Sequence, residues 1–432
     1  MNWKSEYKPL LWISGLFIII YFLPVEKTVF TQSLTDAFTL LKWYAREHVL
    51  LCLVPAFFIA GGIAVFISQA AVIKYFGAGA KKWISYLVAS VSGSILAVCS
   101  CTILPLFAGI YKRGAGIGPA TAFLYAGPGI NILAIILTAR ILGFELGIAR
   151  VVGAIAFSII IGLLMHFFFR KEEQEKAATQ LSMPETENTR PLWQTVLHFT
   201  IMIGILVFAT WGKPESVNGF WGFIYTSKWK ITSLLGVGLG FSLIYILNIN
   251  KVWVFSGMGI VAIISFLPMQ TPVLPFITGV IAVSILLSQS GSESSEWMSS
   301  TWGFTKQIMP LLAAGVLVSG FLLGSPEGGN GIIPETWISS LVGGNSIFAN
   351  FFASVVGAFM YFATLTEVPI LQGLIANGMG KGPALALLLA GPALSLPNML
   401  VIKSVIGMKK TMVFVLIVII MSTFSGIIFG AI

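Results

Sequence analysis

Long apolar runs are the feature that most limits what this chain can fold into. Each run is long enough to cross a bilayer as a helix, and short charged or polar stretches separate it from the next. Hydrocarbon offers the backbone no hydrogen-bond partners, so these runs predict an all-α, polytopic membrane protein of about 10–13 transmembrane helices. The runs cover residues 9–24, 49–72, 83–111, 116–139, 145–169, 192–211, 230–248, 252–268, 272–289, 305–324, 345–375, 383–403 and 411–431.

Composition agrees with the membrane class. The 432 residues are 57% hydrophobic and 9% charged, whereas a soluble chain carries about a quarter charged residues. The net charge of +9 is spread over many loops, which suits contact with the anionic lipid bilayer and excludes nucleic acid as the expected partner. The sequence contains no phosphate-binding loop, no dinucleotide fingerprint and no zinc spacing. We therefore expect no cofactor and no enzyme, and coupling to ions such as protons rather than to ATP.

Self-comparison reveals an internal repeat at an offset of 264 residues. Residues 102–128 (TILPLFAGIYKRGAGIGPATAFLYAGP) overlay on residues 366–392 (TEVPILQGLIANGMGKGPALALLLAGP) without a gap, and thirteen of the 27 positions are identical. Prolines and glycines stay in register throughout, which apolar composition alone does not explain. The sequence leaves open whether the two copies are parallel or inverted, and Lys and Arg counts do not decide the membrane orientation.

The repeat divides the chain into five parts. Residues 1–47 are expected to hold a transmembrane helix and then, over 29–46, an amphipathic helix lying along the membrane surface. Residues 48–170 form the first permease repeat, residues 171–191 a flexible polar linker, residues 192–304 intervening transmembrane helices, and residues 305–432 the second repeat.

The duplicated prolines and glycines predict broken helices. Proline lacks the amide donor and opens the helical ladder, and Pro105, Gly127-Pro128 and their matches Pro369 and Gly391-Pro392 lie near the middle of their runs. Paired broken helices in repeated halves are typical of a transport site at the bilayer midplane. The competing interpretation is that these prolines only kink helices for packing.

Two cysteines precede the first of these prolines. Cys99 and Cys101 flank Ser100, and at an unwound turn their thiols could converge on a thiophilic centre such as a trivalent metalloid. Cys52 is a candidate third thiol. The structural alternative is that all three cysteines are small buried residues that only contribute to packing.

Polar side chains at the other breaks complete the candidate substrate site. Glu367 lies two residues before Pro369 and is a candidate proton carrier, because an ionisable group in a span is costly unless it has a function or a partner. The remaining predicted substrate-binding residues are Thr102, Pro105, Asn131, Thr366, Ser395 and Asn398. Hydrogen bonding between helices is the structural alternative for the polar ones.

The segment CSCTILPLFAGIYKRGAGIGPATAFLYAGPGINILA resembles the ArsP/YraQ-type predicted permeases, as does the second copy. The resemblance covers the two repeats and not the middle helices. It implies an efflux permease of the bacterial inner (cytoplasmic) membrane for trivalent arsenicals, with the thiol role on Cys99 and Cys101. Two alternatives stay open: a permease or channel for another solute or metal ion with structural cysteines, and a membrane thiol oxidoreductase. The oligomeric state is left undetermined.

Overall fold

A computed structural model describes residues 3–66, 82–95, 100–130, 132–181, 191–212, 219–266, 272–324, 331–332, 341–360, 367–376 and 378–432. Apart from connecting turns and one isolated bridge between Gly343 and Met379, these residues are helical. The predicted all-α membrane fold is thereby confirmed.

The described helices follow one another through short connections. In chain order they are α1 (Trp3–Tyr21), α2 (Thr28–Tyr44), α3 (Val54–Phe66), α4 (Lys82–Ile95), α5 (Ser100–Lys112), α6 (Ile117–Gly129), α7 (Ile132–Ile141), α8 (Phe144–Phe168), α9 (Arg170–Leu181), α10 (Leu192–Ala209), α11 (Phe220–Tyr245), α12 (Lys251–Phe266), α13 (Val273–Gln289), α14 (Ser292–Leu323), α15 (Ile347–Phe359), α16 (Glu367–Ala376), α17 (Lys381–Leu394), α18 (Leu396–Ile406) and α19 (Met408–Ala431).

Within the described ranges, four continuous helices are long and apolar enough to cross a membrane. They are Thr28–Phe66, α8, α14 and α19. The helices α17 and α18 form a further span if they are taken together, with a bend of 46° between them. The remaining apolar helices are shorter, so the total of about 10–13 spans stays a prediction.

The predicted surface helix at 29–46 is not a separate helix. α2 continues through a π-helical segment, Ala45–Leu53, into α3, which gives one helix of 39 residues. On α2, Leu34 and Phe38 are exposed, whereas Ser33 and Asp36 are buried. Small and polar residues favour close helix contacts within a membrane protein, and apolar residues can face lipid. A location of this segment along the membrane surface stays a prediction.

The predicted linker is in part a regular helix. Residues 170–181 form α9, and the expectation of a flexible loop over this part was wrong. Glu, Gln, Lys and Ala are strong helix formers, so a segment rich in them folds as a helix without apolar content. Residues 182–190 lie outside the described part of the chain.

Two helices whose positions are related by the 264-residue offset form the centre of the bundle. Every residue of α6 is buried, as is every residue of α17 from Gly382 to Leu394. The two helices contact each other. The Tyr125 hydroxyl donates a hydrogen bond of 2.8 Å to the carbonyl oxygen of Leu389, and these two residues are 264 positions apart in the sequence.

The helix pattern agrees with the duplication seen in the sequence. When α4 to α8 are moved by 264 residues, their bounds fall within three residues of those of α15 to α19; for example, α6 begins at Ile117 and α17 at Lys381. Contacts between the halves are also reciprocal, since α5 packs on α18 and its counterpart α16 packs on α7. The common origin of the two halves stays a prediction.

One helix crossing occurs in both halves. A Cβ atom at Gly118 would lie 2.8 Å from the carbonyl oxygen of Gly162, and a Cβ atom at Gly382 would lie 2.6 Å from that of Gly426. Both distances are too short for a side chain, so α6 can approach α8, and α17 can approach α19, only because these positions are glycine. The two crossings are related by the 264-residue offset.

The matched helices run in opposite directions. At the start of α8, Glu145 contacts Lys381 at the start of α17, with 3.1 Å between carboxylate and ammonium. Just beyond the end of α8, Glu172 lies 3.3 Å from Lys410 at the start of α19. A helix of 25 residues is about 37 Å long, so its two ends lie at opposite ends of the bundle. Near its end, α19 crosses the start of α17 at Gly426 and Gly382, next to Lys381. α8 and α19 are therefore antiparallel, so helices at matching positions are inverted relative to each other.

This geometry predicts opposite accessibility for two equivalent positions. Phe144 and Met408 begin α8 and α19, and both are exposed. In Phe144→Cys and Met408→Cys variants, a membrane-impermeant maleimide applied to intact cells should label only one of the two, and the other should react only after lysis. The unsubstituted protein controls for its three native cysteines. Labelling of both positions from the same side would contradict the inverted arrangement.

Candidate functional site

The duplicated prolines lie inside helices rather than at their breaks. Pro105 lies within α5, and Pro128 and Pro392 lie near the ends of α6 and α17. The break in the second half is instead at Ser395, between α17 and α18. A proline perturbs the turn that precedes it, because it offers no donor to the carbonyl four residues earlier. For Pro105, the carbonyl that lacks a helical hydrogen-bond donor is that of Cys101, in the first turn of α5.

Several predicted site residues lie outside the described residues. They are Cys99, Asn131 and Thr366, and their placement at the site stays a prediction. Cys101 belongs to the first turn of α5, and Thr102 beside it is fully buried. Among the described residues there is no group of three His, Cys, Asp or Glu side chains that could hold a metal ion.

Cys52 is buried in the π-helical segment that joins α2 to α3. The amide of Val54 bonds to the carbonyl of Val49, five residues back, which is the wider spacing of a π-helix. Pro55 follows directly, and the wider turn relieves the clash of its ring with the preceding turn. Such segments are frequent at functional sites, and this one contacts α5, the helix that begins with Ser100 and Cys101.

The most unusual interaction of the described structure is an ion pair buried between the two halves. The guanidinium Nη2 of Arg150 on α8 contacts the carboxylate Oε1 of Glu367 at the start of α16, and both side chains are at most 1% exposed. Arg150 Nη1 also donates a 2.9 Å hydrogen bond to the Thr138 hydroxyl on α7, which in turn donates to the carbonyl of Ala134. Taking two charges out of water is costly, so the pair persists only because each charge neutralises the other.

Glu367, the predicted carboxylate, is thus buried and ionically paired, but its partner was missed. Arg150 lies within the predicted span 145–169, whose other residues are almost all apolar. An arginine in such a run is itself a signal for an internal ion pair. What the sequence could not provide was the partner, since Arg150 and Glu367 are more than 200 residues apart and belong to different halves.

Ser395 and Asn398 lie at the bend between α17 and α18, and both are buried. Within the described residues, Ser395 Oγ and Asn398 Oδ1 have no hydrogen-bond partner. Buried polar atoms are normally satisfied by protein or water. These two atoms therefore retain free capacity for a polar ligand, which agrees with their predicted role without testing it. Gly315 of α14 lies against Pro397 with no room for a side chain, so the bend is packed tightly on that side.

At one end of the bundle, side chains of α9 contact both halves. Glu173 is buried, and its Oε2 accepts a 2.8 Å hydrogen bond from the amide of Ile117, the first residue of α6. The ammonium group of Lys410 lies 3.7 Å from Glu173 Oε1 and 3.4 Å from the Tyr111 hydroxyl. A carboxylate at a helix N-terminus is favoured by the exposed amides and the helix dipole, so Glu173 serves as an N-terminal cap from a distant segment.

The neighbouring Glu172 stabilises the folded protein through the charge of its carboxylate. The hydrogen bond from the Lys410 ammonium group holds the pKa of the Glu172 carboxyl below its usual range. Because the folded state binds this proton less readily than the unfolded state, the stabilisation is present at neutral pH and is lost as the pH falls below the usual carboxyl range. Glu172 is about half exposed, so the effect is small.

Antiparallel matched helices, a fully buried central pair and a buried ion pair define a multi-pass helical membrane protein. A family model described as ArsP_1, predicted permease, matches residues 34–431. The chain belongs to this family of predicted permeases.

Two relatives extend this finding. The UPF0718 protein MJ0584 of Methanocaldococcus jannaschii is 42% identical over 393 residues, which cover 90% of this chain and 93% of that protein. The UPF0718 protein YraQ of Escherichia coli strain K12 is 18% identical over 312 residues, which cover 72% of this chain and 58% of that protein. No solved structure matches this chain.

The cap formed by Glu173 gives a prediction for stability. Glu173→Ala should destabilise the protein by about 1–3 kcal/mol, because the buried amide of Ile117 loses a charged acceptor. Thermal unfolding in detergent would measure this loss. Lys171→Ala, an exposed change on the same helix, should stay within about 0.5 kcal/mol of the original. Equal effects of the two variants would show that the cap is not needed.

Proposed function

We propose that the protein is a secondary transporter that exports a thiophilic metalloid, in particular a trivalent arsenical, across the bacterial inner membrane. Substrate enters a cavity between the two halves, exchanges onto the thiols of Cys99 and Cys101, and leaves when one half rocks against the other. Membership of the permease family supports transport, and the arrangement of cysteines supports the substrate class.

One observation carries the substrate proposal. The π-helical segment with buried Cys52 packs on α5, whose first turn contains Cys101. Pro105 leaves the carbonyl of Cys101 without its helical donor, which favours an irregular backbone at that turn. Thiolates are soft ligands, and trivalent arsenic is a soft, thiophilic centre. The arrangement therefore suits capture of arsenic by two thiols, with Cys52 as a third.

The remaining polar residues take supporting roles in the proposal. Thr102, Asn131, Thr366, Ser395 and Asn398 offer hydroxyl and amide groups to the oxygen atoms of the substrate. Glu367 accepts the proton that couples export to a pH gradient. Inverted halves and a bent helix pair support alternating access by rocking of one half.

A second candidate is a permease for another solute, with the cysteines as packing residues. The buried Arg150–Glu367 pair favours it, because buried charged groups in a membrane protein can bind a charged solute without any thiol. A thiol oxidoreductase has no comparable support among the described contacts and does not fit the permease family.

Transport by a cysteine variant distinguishes the two candidates. In everted membrane vesicles, Cys99→Ser with Cys101→Ser should reduce uptake of a trivalent arsenical to the level of vesicles that lack the protein, because a hydroxyl group is a poor ligand for arsenic. Radiolabelled or mass-spectrometric uptake with and without a pH gradient would measure this. Cys52→Ser is the matched control and should reduce uptake only in part.

The same vesicles should be tested with antimonite and divalent metal ions. Unchanged arsenical uptake by the double variant, at equal protein level, would eliminate the thiol mechanism. Uptake of a different solute with the cysteines replaced would establish the second candidate.

A further inference from the structure

The ion pair between the two halves has an apolar counterpart. Because the halves are related by an offset of 264 residues, each residue of the polar group Thr138, Arg150 and Glu367 has a partner at the equivalent position of the other half. Those equivalents are Ile402, Phe414 and Ile103, and all three are fully or almost fully buried.

This difference is localised. The same two halves agree in their crossing glycines, in the bounds of their helices and in their reciprocal packing of α5 on α18 and α16 on α7. A buried salt bridge is not needed for stability at such a contact, since well-packed apolar residues of similar volume are as good or better. The apolar equivalent within this same chain shows that the contact can be made without charge. The polar group therefore calls for a functional explanation.

We propose that Thr138, Arg150 and Glu367 form a proton-operated lock on one side of the contact between the halves, with Arg150 as the positioning residue that holds Glu367 closed. This inference rests on the proposed role of the protein as a secondary transporter, but not on the identity of its substrate. The other side of the contact is a passive apolar hinge.

The physical step is a simple proton transfer. A proton from the aqueous phase binds the Glu367 carboxylate and leaves a neutral carboxyl group. Arg150 keeps its positive charge and now lies buried without a counter-charge, which is strongly unfavourable. Hydrating that guanidinium requires α16 to move away from α7 and α8, and so opens one side of the contact. Release of the proton restores the pair and closes the lock.

Few other charges face this carboxylate. The described elements near Glu367 are α7, α8 and α17, and α6 lies close enough for the Tyr125 phenol to sense Arg150. Tyr125 is already bonded to the carbonyl of Leu389. The other ionisable groups of the flanking helices are exposed or lie near helix ends: Arg140 on α7, Glu145 and His166 on α8, Lys381 on α17. Arg150 is thus the charge that controls Glu367 within the described structure.

The apolar half supplies the test variant. A triple variant replaces the three polar residues by their apolar equivalents from the other half. Its substitutions are Thr138→Ile, Arg150→Phe and Glu367→Ile. The triple variant should fold, because the three equivalent apolar side chains are themselves buried in the core of the bundle. Glu367→Gln is the opposite variant, since it imitates the protonated carboxyl group and leaves Arg150 without a counter-charge.

Hydrogen–deuterium exchange in lipid nanodiscs, without any substrate, would measure how far the contact between α16, α7 and α8 opens. Labelling times should be scaled for the intrinsic pH dependence of exchange. In the unsubstituted protein, amides of α16 and α7 should lose protection as the pH changes from mildly alkaline to mildly acidic. The triple variant should stay protected at both pH values, and Glu367→Gln should be unprotected at both.

Each outcome decides the proposal. Exchange in α16 and α7 that does not change with pH in the unsubstituted protein would overturn it, whatever the protein transports. So would a triple variant that retains the pH response. Failure of arsenical uptake together with a pH-dependent lock would instead reject the substrate and leave the lock intact. If Glu367→Gln does not fold, the comparison of the unsubstituted protein with the triple variant still decides.

Discussion

The contact between two antiparallel halves is the constraint on which the rest of this structure depends. α6 and α17 meet at the centre, where no residue of either helix beyond Lys381 reaches solvent. Helices that cross in such a centre need small residues, and the glycine pairs Gly118–Gly162 and Gly382–Gly426 let each central helix lie directly against its long neighbour. The outer helices, including the long one from Thr28 to Phe66, pack around this centre through α14 and α5.

Burial at this contact also controls the chemistry of its charged groups. Arg150 and Glu367 can remain charged there because they contact each other, and Thr138 satisfies one more donor of the guanidinium. Charges at the ends of the bundle have a different role. Glu173 and Lys410 join α9 to the starts of α6 and α19, and these contacts position the helix ends.

Much of the fold could be predicted from the sequence, because the length of apolar runs and the register of glycines and prolines report directly on helices in a membrane. The positions of Pro105 and Pro392 indicated irregular backbone, but not that the helix continues through the proline and breaks at Ser395. The separate helix expected over 29–46 was not found, since a helical stripe does not show that α2 continues through Ala45–Leu53 into α3. The relative direction of the matched helices and the partner of Glu367 could not be predicted, because they depend on contacts between residues far apart in sequence, such as Lys381 with Glu145.

The unequal halves have a consequence for the energy of a transport cycle. In two identical inverted halves, the inward-open and outward-open states would be the same structure with the halves exchanged, and they would be equally populated. Here the charged contact of Arg150 with Glu367 has no charged equivalent at Phe414 and Ile103. If the protein works by alternating access as proposed, its two end states therefore differ in free energy, and one of them is favoured at rest. In the proposed lock, a proton on the Glu367 carboxylate destabilises the charged contact, so a fall in pH shifts this balance towards the state in which that contact is open.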